Sequence, residues 1–261
     1  MGTSGAYSGS GGKDGKTVRD RISDYLDGLS GSDGSGSKGQ RPPLDPAALG
    51  RVINLIRPRV ASGGGGGGPG GGGGGGASGG GGGSRSNGGP QRTAAGSART
   101  AGRAAAAAHA YSTGDTATLQ RLGLDYNELR GLGDDIEVVR RIVDMACSTP
   151  DSSIEDHEQR FVAAEVAEWV MEQERDGYRL SPEEMVRQTI AVIIAETLLV
   201  ESGDLVNNHD LADVAESDIR DAAEAIAAQA NLSVDGATED EVSRAVEAGL
   251  ETIRGIVGGG S

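Results

Sequence analysis

The sequence predicts an all-α C-terminal domain of five to seven helices, preceded by a largely disordered Gly/Ser-rich N-terminal region. Glycine supplies 46 of the 261 residues, and 20 of the 30 residues from 61 to 90 are glycine. Such a chain buries too little apolar surface to offset the entropy lost on ordering. Beyond residue 97, apolar residues recur at helical spacing, and no segment alternates over more than a few positions as a β-strand would.

Two short helical segments joined by a linker are expected within residues 16–60, behind a flexible tail of residues 1–15. Residues 16–29 carry apolar side chains at helical spacing and are about as short as a marginal isolated helix. Docking on another surface and a transient helix both stay open for this segment. Asp45 is a plausible N-cap for the second segment, with Pro46 at its first helical position.

Residues 61–96 are expected to form a Gly-rich disordered tether. They show neither the G-x-y period of collagen nor the G-x-x-x-x-G-K-[ST] pattern of a phosphate-binding loop. A flexible coil of 30 residues spans roughly 30 Å, so the tract is interpreted as a tether that lets the N-terminal part reach a partner. The helical domain is expected to cover residues 97–257, and residues 258–261 a disordered end.

Capping residues and residues of high helix propensity predict where the helices of this domain begin. The alanine-rich residues 98–110 predict a helix, because alanine has the highest helix propensity. Asp115, Asp125 and either Asp134 or Asp135 are expected N-caps of the following helices. The predicted buried faces of the next two long helices consist of Ile136, Val139, Ile142, Val143 and Ala146, and of Phe161, Val162, Val166, Trp169 and Val170.

The clearest helix start is Ser181, followed by a proline and by Glu184 in a capping box. The helix behind it is apolar around most of its circumference, which predicts the central buried helix of the domain. Two further helices are expected to close the domain. One begins near Asp210, and the other follows a second capping box formed by Thr238 and Glu241.

Charge and cysteine content limit the possible functions. Residues 1–110 hold 13 Lys and Arg against 6 Asp and Glu, whereas residues 111–261 hold 11 against 33. The acidic part repels nucleic-acid backbones, so no specific nucleic-acid binding is expected.

The single cysteine, Cys147, excludes an internal disulfide. No signal peptide and no apolar run long enough to span a membrane is seen, which predicts a cytoplasmic protein without a membrane partner.

Two charged features are candidate chemical sites. Residues 155–158 gather three carboxylates and a histidine, but consecutive helical residues point in different directions, so a solvated helix start is expected instead of a metal site. Glu196 lies among apolar residues and is expected to be buried in a structural pair with Arg140, Arg141 or Arg187. These features predict no enzymatic activity and no cofactor or metal.

The first dozen residues offer a reactive group, the α-amine of Gly2. Gly2 has no side chain, so removal of Met1 is expected to expose an unhindered amine. An α-amine has a pKa of about 7.7–8.0, so part of it is neutral and nucleophilic near neutral pH. Tyr7 is the one large aromatic group of this stretch and a plausible recognition anchor.

The Met-Gly-Thr-Ser start, the Gly and Ser residues around Tyr7, the Gly-rich region and the helical C-terminal part together resemble the QatB components of bacterial Qat antiviral defence systems. The specific part of the resemblance covers Met1–Gly12, and the rest agrees in layout. In that family the neighbouring components are an ATPase, a QueC-like enzyme of 7-deazaguanine chemistry and a TatD-like nuclease.

The resemblance implies a non-enzymatic defence protein that works with those three partners. It implies that the QueC-like enzyme attaches a deazaguanine group to the amine of Gly2. The residues expected to be recognised by that enzyme are Thr3, Ser4, Gly5 and Tyr7. Two other classes stay open: an unmodified scaffold that assembles its partners through the acidic helical domain, and a helical hydrolase or nuclease that uses residues 155–158.

Overall fold

A computed structural model describes residues 9–10, 12–31, 44–57, 92–147, 154–234 and 236–258. These residues form ten α-helices and one 3₁₀ helix, and no strand occurs among them, so the all-α prediction is confirmed for this part of the chain. The helices are α1 Lys13–Gly31, α2 Pro46–Leu49, the 3₁₀ helix Gly50–Leu55, α3 Ala94–Thr113, α4 Thr116–Arg121, α5 Tyr126–Gly131, α6 Asp135–Ala146, α7 Ile154–Arg175, α8 Pro182–Asn207, α9 Ala212–Ala227 and α10 Glu239–Gly258.

The part from α3 to α10 holds eight described helices, which is more than the five to seven expected. The number exceeds seven because α4 and α5, both expected from their aspartate caps, are two separate short helices. Asp115 accepts a hydrogen bond from the backbone N–H of Thr118 at 3.0 Å. Asp125 accepts from the N–H groups of Asn127 and Glu128. Each cap satisfies free N–H groups at a helix start, so the chain begins a new helix at each aspartate.

The predicted start of α8 is confirmed in detail. Ser181 accepts from the Glu184 N–H, and the Glu184 side chain accepts from the Ser181 N–H, with Pro182 at the first helical position. Behind this capping box, α8 is buried from Met185 through Leu198 on nearly every side. It contacts α1, α3, α7, α9, α10 and the 3₁₀ helix, and is therefore the central helix of the fold.

The apolar core has two clusters. The first joins α8 and α9 to α10, to the start of α3 and to the segments that precede the glycine tract. The second joins the C-terminal half of α3 to α4–α7. Ile193 belongs to the first cluster, whereas Trp169 packs, partly buried, against the second. The two therefore do not share one cluster, although α8 contributes to both.

The N-terminal helical segments are part of this core. Ile22 of α1 and Leu49, Ile53 and Ile56 of the second segment are fully buried in the first cluster. α1 therefore docks on the helical domain, and it extends beyond the expected residues 16–29 at both ends. The reason is that its apolar stripe covers the face of α8 that the later helices leave open.

The ends of the glycine tract are held together. The Arg57 N–H donates to the Arg92 carbonyl at 2.8 Å, and the Ala94 N–H donates to the Arg57 carbonyl at 2.8 Å. Residues 58–91, most of the expected tether, lie outside the described residues. The segments on both sides of the tract pack into one core. The tract therefore joins two parts of one body, which differs from a tether between independently placed parts.

Two residues expected in buried faces are exposed. Phe161 is 42% exposed and Ile136 is 71% exposed. On α7 the buried stripe runs through Val162, Val166 and Val170, and Phe161 is turned about 100° away from it because successive helical residues differ by that angle. On α6, Ile136 belongs to the predicted stripe, but the helices that cover Val139 and Val143 do not cover it.

Candidate functional site

A buried cluster of charged side chains lies where α7 and α8 meet Arg92, two residues before the start of α3. Arg92 donates from Nε and Nη2 to the two carboxylate oxygens of Glu158 at 2.7 and 2.8 Å. Its Nη1 donates to Oε1 of Glu201 at 2.8 Å. All three side chains are buried. One arginine therefore bridges α7 and α8 through a bidentate and a single charge-assisted hydrogen bond.

The described start of the chain binds to the same carboxylate. The Ser10 N–H donates to Oε2 of Glu201 and the Ser10 hydroxyl donates to Oε1, each at 2.7 Å. Arg19 Nη1 donates to the Ser10 carbonyl at 3.0 Å and lies 3.3 Å from Oε2 of Glu201. Glu201 thus receives donors from Ser10, Arg19 and Arg92, and it fixes Ser10 against α8.

Two glycines make this close approach possible. Gly9 has φ of 85°, a conformation that favours glycine, and a Cβ there would lie 2.1 Å from Arg19 Nη1. A Cβ at Gly15 would lie 2.7 Å from the Ser10 carbonyl oxygen. A side chain at Gly9 would therefore displace the Arg19 guanidinium, and one at Gly15 would displace the Ser10 backbone.

The hydrogen bonds keep the main pair of this cluster ionised. Burial alone raises the pKa of Glu201, but the hydrogen bonds from Ser10 and Arg92 outweigh it and lower the pKa. Burial likewise lowers the pKa of Arg92, but the charges of Glu158 and Glu201 outweigh it and raise the pKa. A buried pair in this state is strongly destabilised when one partner is removed, because the other charge is left unpaired.

Glu196 lies beside this cluster. Burial, with a further contribution from the negative charge of Glu158, raises its pKa to about 7. Glu196 lines a cavity of about 20 Å³ together with Arg92 and Glu158. That volume holds about one water molecule and no substrate. Near neutral pH, Glu196 is therefore a buried carboxyl group close to half protonation.

Two expectations about charged residues are wrong in part, although Glu196 is buried as expected. Glu196 faces Arg92 and Glu158 instead of Arg140 or Arg187, which pair with Glu137 and Glu183 on their own helices. Arg141 is exposed. Within residues 155–158, expected to be solvated, Glu158 is buried by its pair with Arg92, while His157 is exposed. Among the described residues, no group of three or more His, Cys, Asp or Glu side chains is placed to hold a metal ion.

One pair has the composition of a catalytic dyad but the wrong hydrogen placement. Ser30 Oγ lies 2.9 Å from His209 Nε2. The backbone N–H of Leu211 donates to His209 Nδ1 at 3.1 Å. In the neutral ring, an Nδ1 that accepts a hydrogen bond leaves the proton on Nε2, so Nε2 donates to Ser30 and does not withdraw its proton.

The residues predicted as the modification and recognition site lie outside the described part of the chain; they are Gly2, Thr3, Ser4, Gly5 and Tyr7. Eight Cα-to-Cα steps lead from Gly2 to Ser10, and a fully extended chain of that length spans at most about 28 Å.

Comparisons with protein-family models, with curated proteins and with solved structures find no match to this chain. In the part of the chain that the structure describes, no helix has the length and apolar character needed to cross a membrane.

Proposed function

We propose that this protein is a non-enzymatic, cytoplasmic component of a bacterial antiviral defence system similar to QatB, and that its helical body presents the amine of Gly2 to a QueC-like partner for conjugation to a deazaguanine. The observation that supports this proposal is the anchor of Ser10 on Glu201. Ser10 is held on the folded body, and the residues before it, which include Gly2, are attached to the body at that position.

Because Ser10 is fixed on the body, the amine of Gly2 has a raised local concentration for a partner that is docked on the same body. A sphere of about 28 Å radius around Ser10 corresponds to an effective concentration on the order of 10 mM. The amine is therefore supplied to a docked active site without a separate encounter. Its neutral fraction, set by a pKa of about 7.7–8.0, is the nucleophile.

The chemistry on this chain is limited to supplying the amine. Gly2 leaves the amine unhindered, and the small side chains of Thr3, Ser4 and Gly5 allow an extended path into a narrow active site. Tyr7 supplies one large contact for recognition. In this proposal the QueC-like enzyme carries out the conjugation, and the ATPase and the TatD-like nuclease are the other components of the assembly.

The test is the mass of the N-terminal peptide after production together with the neighbouring components. The proposal predicts a chain that begins at Gly2 and carries the added group. A Gly2→Glu variant is expected to retain Met1, to lack the modification and to lose defence, with the helical body folded. Gly12→Glu is the matched control, because a Cβ at Gly12 meets no atom within 4 Å.

An unmodified Gly2 in a defence-competent assembly would contradict this proposal. That outcome would instead support the second class of function, a scaffold that is never modified. Loss of defence in both glutamate variants, with folding retained, would show that a negative charge anywhere near the start of the chain is harmful, and would remove the specific role of Gly2.

A further inference from the structure

The apolar stripe of α6 continues beyond the core. Val139 and Val143 are buried under neighbouring helices, whereas Ile136, one turn earlier on the same stripe, is 71% exposed. Ile136 is the most exposed of the large apolar side chains that the structure describes. An aliphatic residue that prolongs a buried stripe to the surface is typical of a helix face with room for a partner.

Ile136 lies at the edge of a hollow between α6 and α7. The hollow has a volume of about 320 Å³, and Val139 and Met171 contribute to its apolar lining. A second hollow of about 240 Å³ extends from it toward α3 and α5, and the two share Asp135, Met171 and Arg175. The Arg175–Asp135 ion pair between them, at 3.0 Å, is largely exposed and is free to rearrange.

The rim of the first hollow is acidic. Asp135, Glu168 and Glu172 line it together with a single cation, Arg175. Glu168 and Glu172 are exposed and lie one turn apart on α7, an arrangement in which like charges repel. Among the described residues Glu168 has no ion-pair partner. Glu172 lies 4.0 Å from Arg175, a long contact between exposed side chains. A cationic side chain placed over Glu168 and Glu172 therefore gains an attraction that Arg175 does not supply to Glu168.

We propose that this surface, formed by Ile136, Val139, Met171, Glu168 and Glu172, binds a basic amphipathic helix of a partner protein. Two antiparallel helices form a groove into which a third helix packs with its side-chain ridges. An aliphatic residue of the partner fills the hollow beside Ile136 and Met171. Lys or Arg residues spaced i, i+4 on the partner match the spacing of Glu168 and Glu172.

This docking surface is independent of any modification of Gly2. It identifies the partner by chemistry: a helix with an aliphatic face and neighbouring cations. The strongly acidic C-terminal part, with 33 Asp and Glu against 11 Lys and Arg after residue 110, speeds the approach of such a partner at low salt.

The test uses the full chain and two labelled helical peptides of equal length, one built from Leu and Lys and one from Leu and Glu, in a fluorescence-anisotropy titration. We expect the Leu/Lys peptide to bind at least about tenfold more tightly. Ile136→Ser is expected to weaken its binding by about tenfold or more, because Ile136 is the most exposed apolar side chain of this surface. Ile256→Ser is the matched control, since Ile256 is 52% exposed and lies on α10, away from the hollow.

A Glu168→Gln, Glu172→Gln variant is expected to weaken binding further and to reduce its dependence on salt. Equal losses with Ile136→Ser and Ile256→Ser, or no binding of the Leu/Lys peptide, would overturn the proposal. Sedimentation equilibrium of the chain alone is the second measurement. A dimer that Ile136→Ser dissociates would show that a second copy occupies this surface, and would equally overturn it.

Discussion

Replacement of Glu196 by glutamine is expected to change how stability depends on pH. The folded pKa of Glu196 is raised from 4.5 to about 7. Below pH 4.5 the carboxyl group is protonated in the folded and the unfolded chain. Between pH 4.5 and 7 the unfolded chain loses the proton while the folded chain retains it. The free energy of unfolding therefore falls as pH rises through this window, and above pH 7 the loss is complete.

The size of the effect follows from the shift. A change in pKa from 4.5 to about 7 corresponds to about 3 kcal/mol, at about 1.4 kcal/mol per unit. Glutamine has the shape of the protonated acid and does not titrate. We therefore expect Glu196→Gln to match the wild type near pH 4.5 and to exceed it by up to about 3 kcal/mol above pH 8. For a domain of this size, that is a difference in Tm of about 6–12 °C.

The assay is urea unfolding of both proteins, followed by circular dichroism at a series of pH values from 4.5 to 8.5. Only the difference between the two curves is interpreted, because other groups titrate in both proteins. Glu183→Gln is the control, since Glu183 is exposed on the same helix. Parallel pH profiles for the wild type and Glu196→Gln would refute the reasoning and would mean that Glu196 is solvated.

Three further outcomes follow from the contacts of the N-terminal part. Ile22→Asp places an unpaired charge in the core and is expected to destabilise the domain by several kcal/mol in urea unfolding, whereas Arg21→Asp on the exposed side of α1 is tolerated. Replacing residues 58–91 by eight Gly and Ser residues is expected to raise stability by about 1 kcal/mol, because the ends of the tract already meet and a shorter loop loses less entropy on closure; a large loss would contradict the observed pairing of its ends. Gly9→Val is expected to displace Ser10 from Glu201, seen as faster proteolysis near the N-terminus, while Gly12→Val is not.

Local signals in the sequence predicted most of the helices. The capping boxes at Ser181 and Thr238 and the Asp caps at Asp45 and Asp115 depend only on neighbouring residues, so their chemistry is visible in the sequence. The aspartate caps and the complete capping box at Ser181 are present in the structure. At Thr238 the Glu241 side chain accepts from the Thr238 N–H, which is one half of the predicted box. The uniformly apolar α8 was likewise predicted as the central helix, because only a buried helix has no polar face.

The charged cluster could not be predicted in this way. Arg92 lies 66 residues from Glu158 and 109 residues from Glu201 in the sequence. No periodic pattern connects residues that approach only after folding. Arg92 also follows the glycine tract directly, and the composition of that stretch predicted a linker, so no buried ion pair was expected for Arg92. A signal did exist: Glu196 and Glu201 both fall within a strongly apolar helix, and buried carboxylates require a cation from another part of the chain.

The role of α1 was left open for a related reason. Its apolar stripe through Ile22 and Leu26 predicted a face to bury, but not the partner. The structure places that stripe in the cluster that includes α8 and α9. Residues before and after the glycine tract therefore belong to one core, and the boundary in composition near residue 97 does not mark the start of the packed body.

Amide hydrogen exchange at Ser10 tests the anchor most directly, because the proposed presentation of Gly2 depends on it. The Ser10 N–H donates to buried Glu201 at 2.7 Å. By NMR we expect this amide to exchange at least about a hundredfold more slowly than an amide in an unfolded chain, and expect Glu201→Gln to remove most of that protection. Exchange of the wild-type Ser10 amide at the unfolded rate would contradict the account, because the start of the chain would then have no fixed point of departure from the helical body.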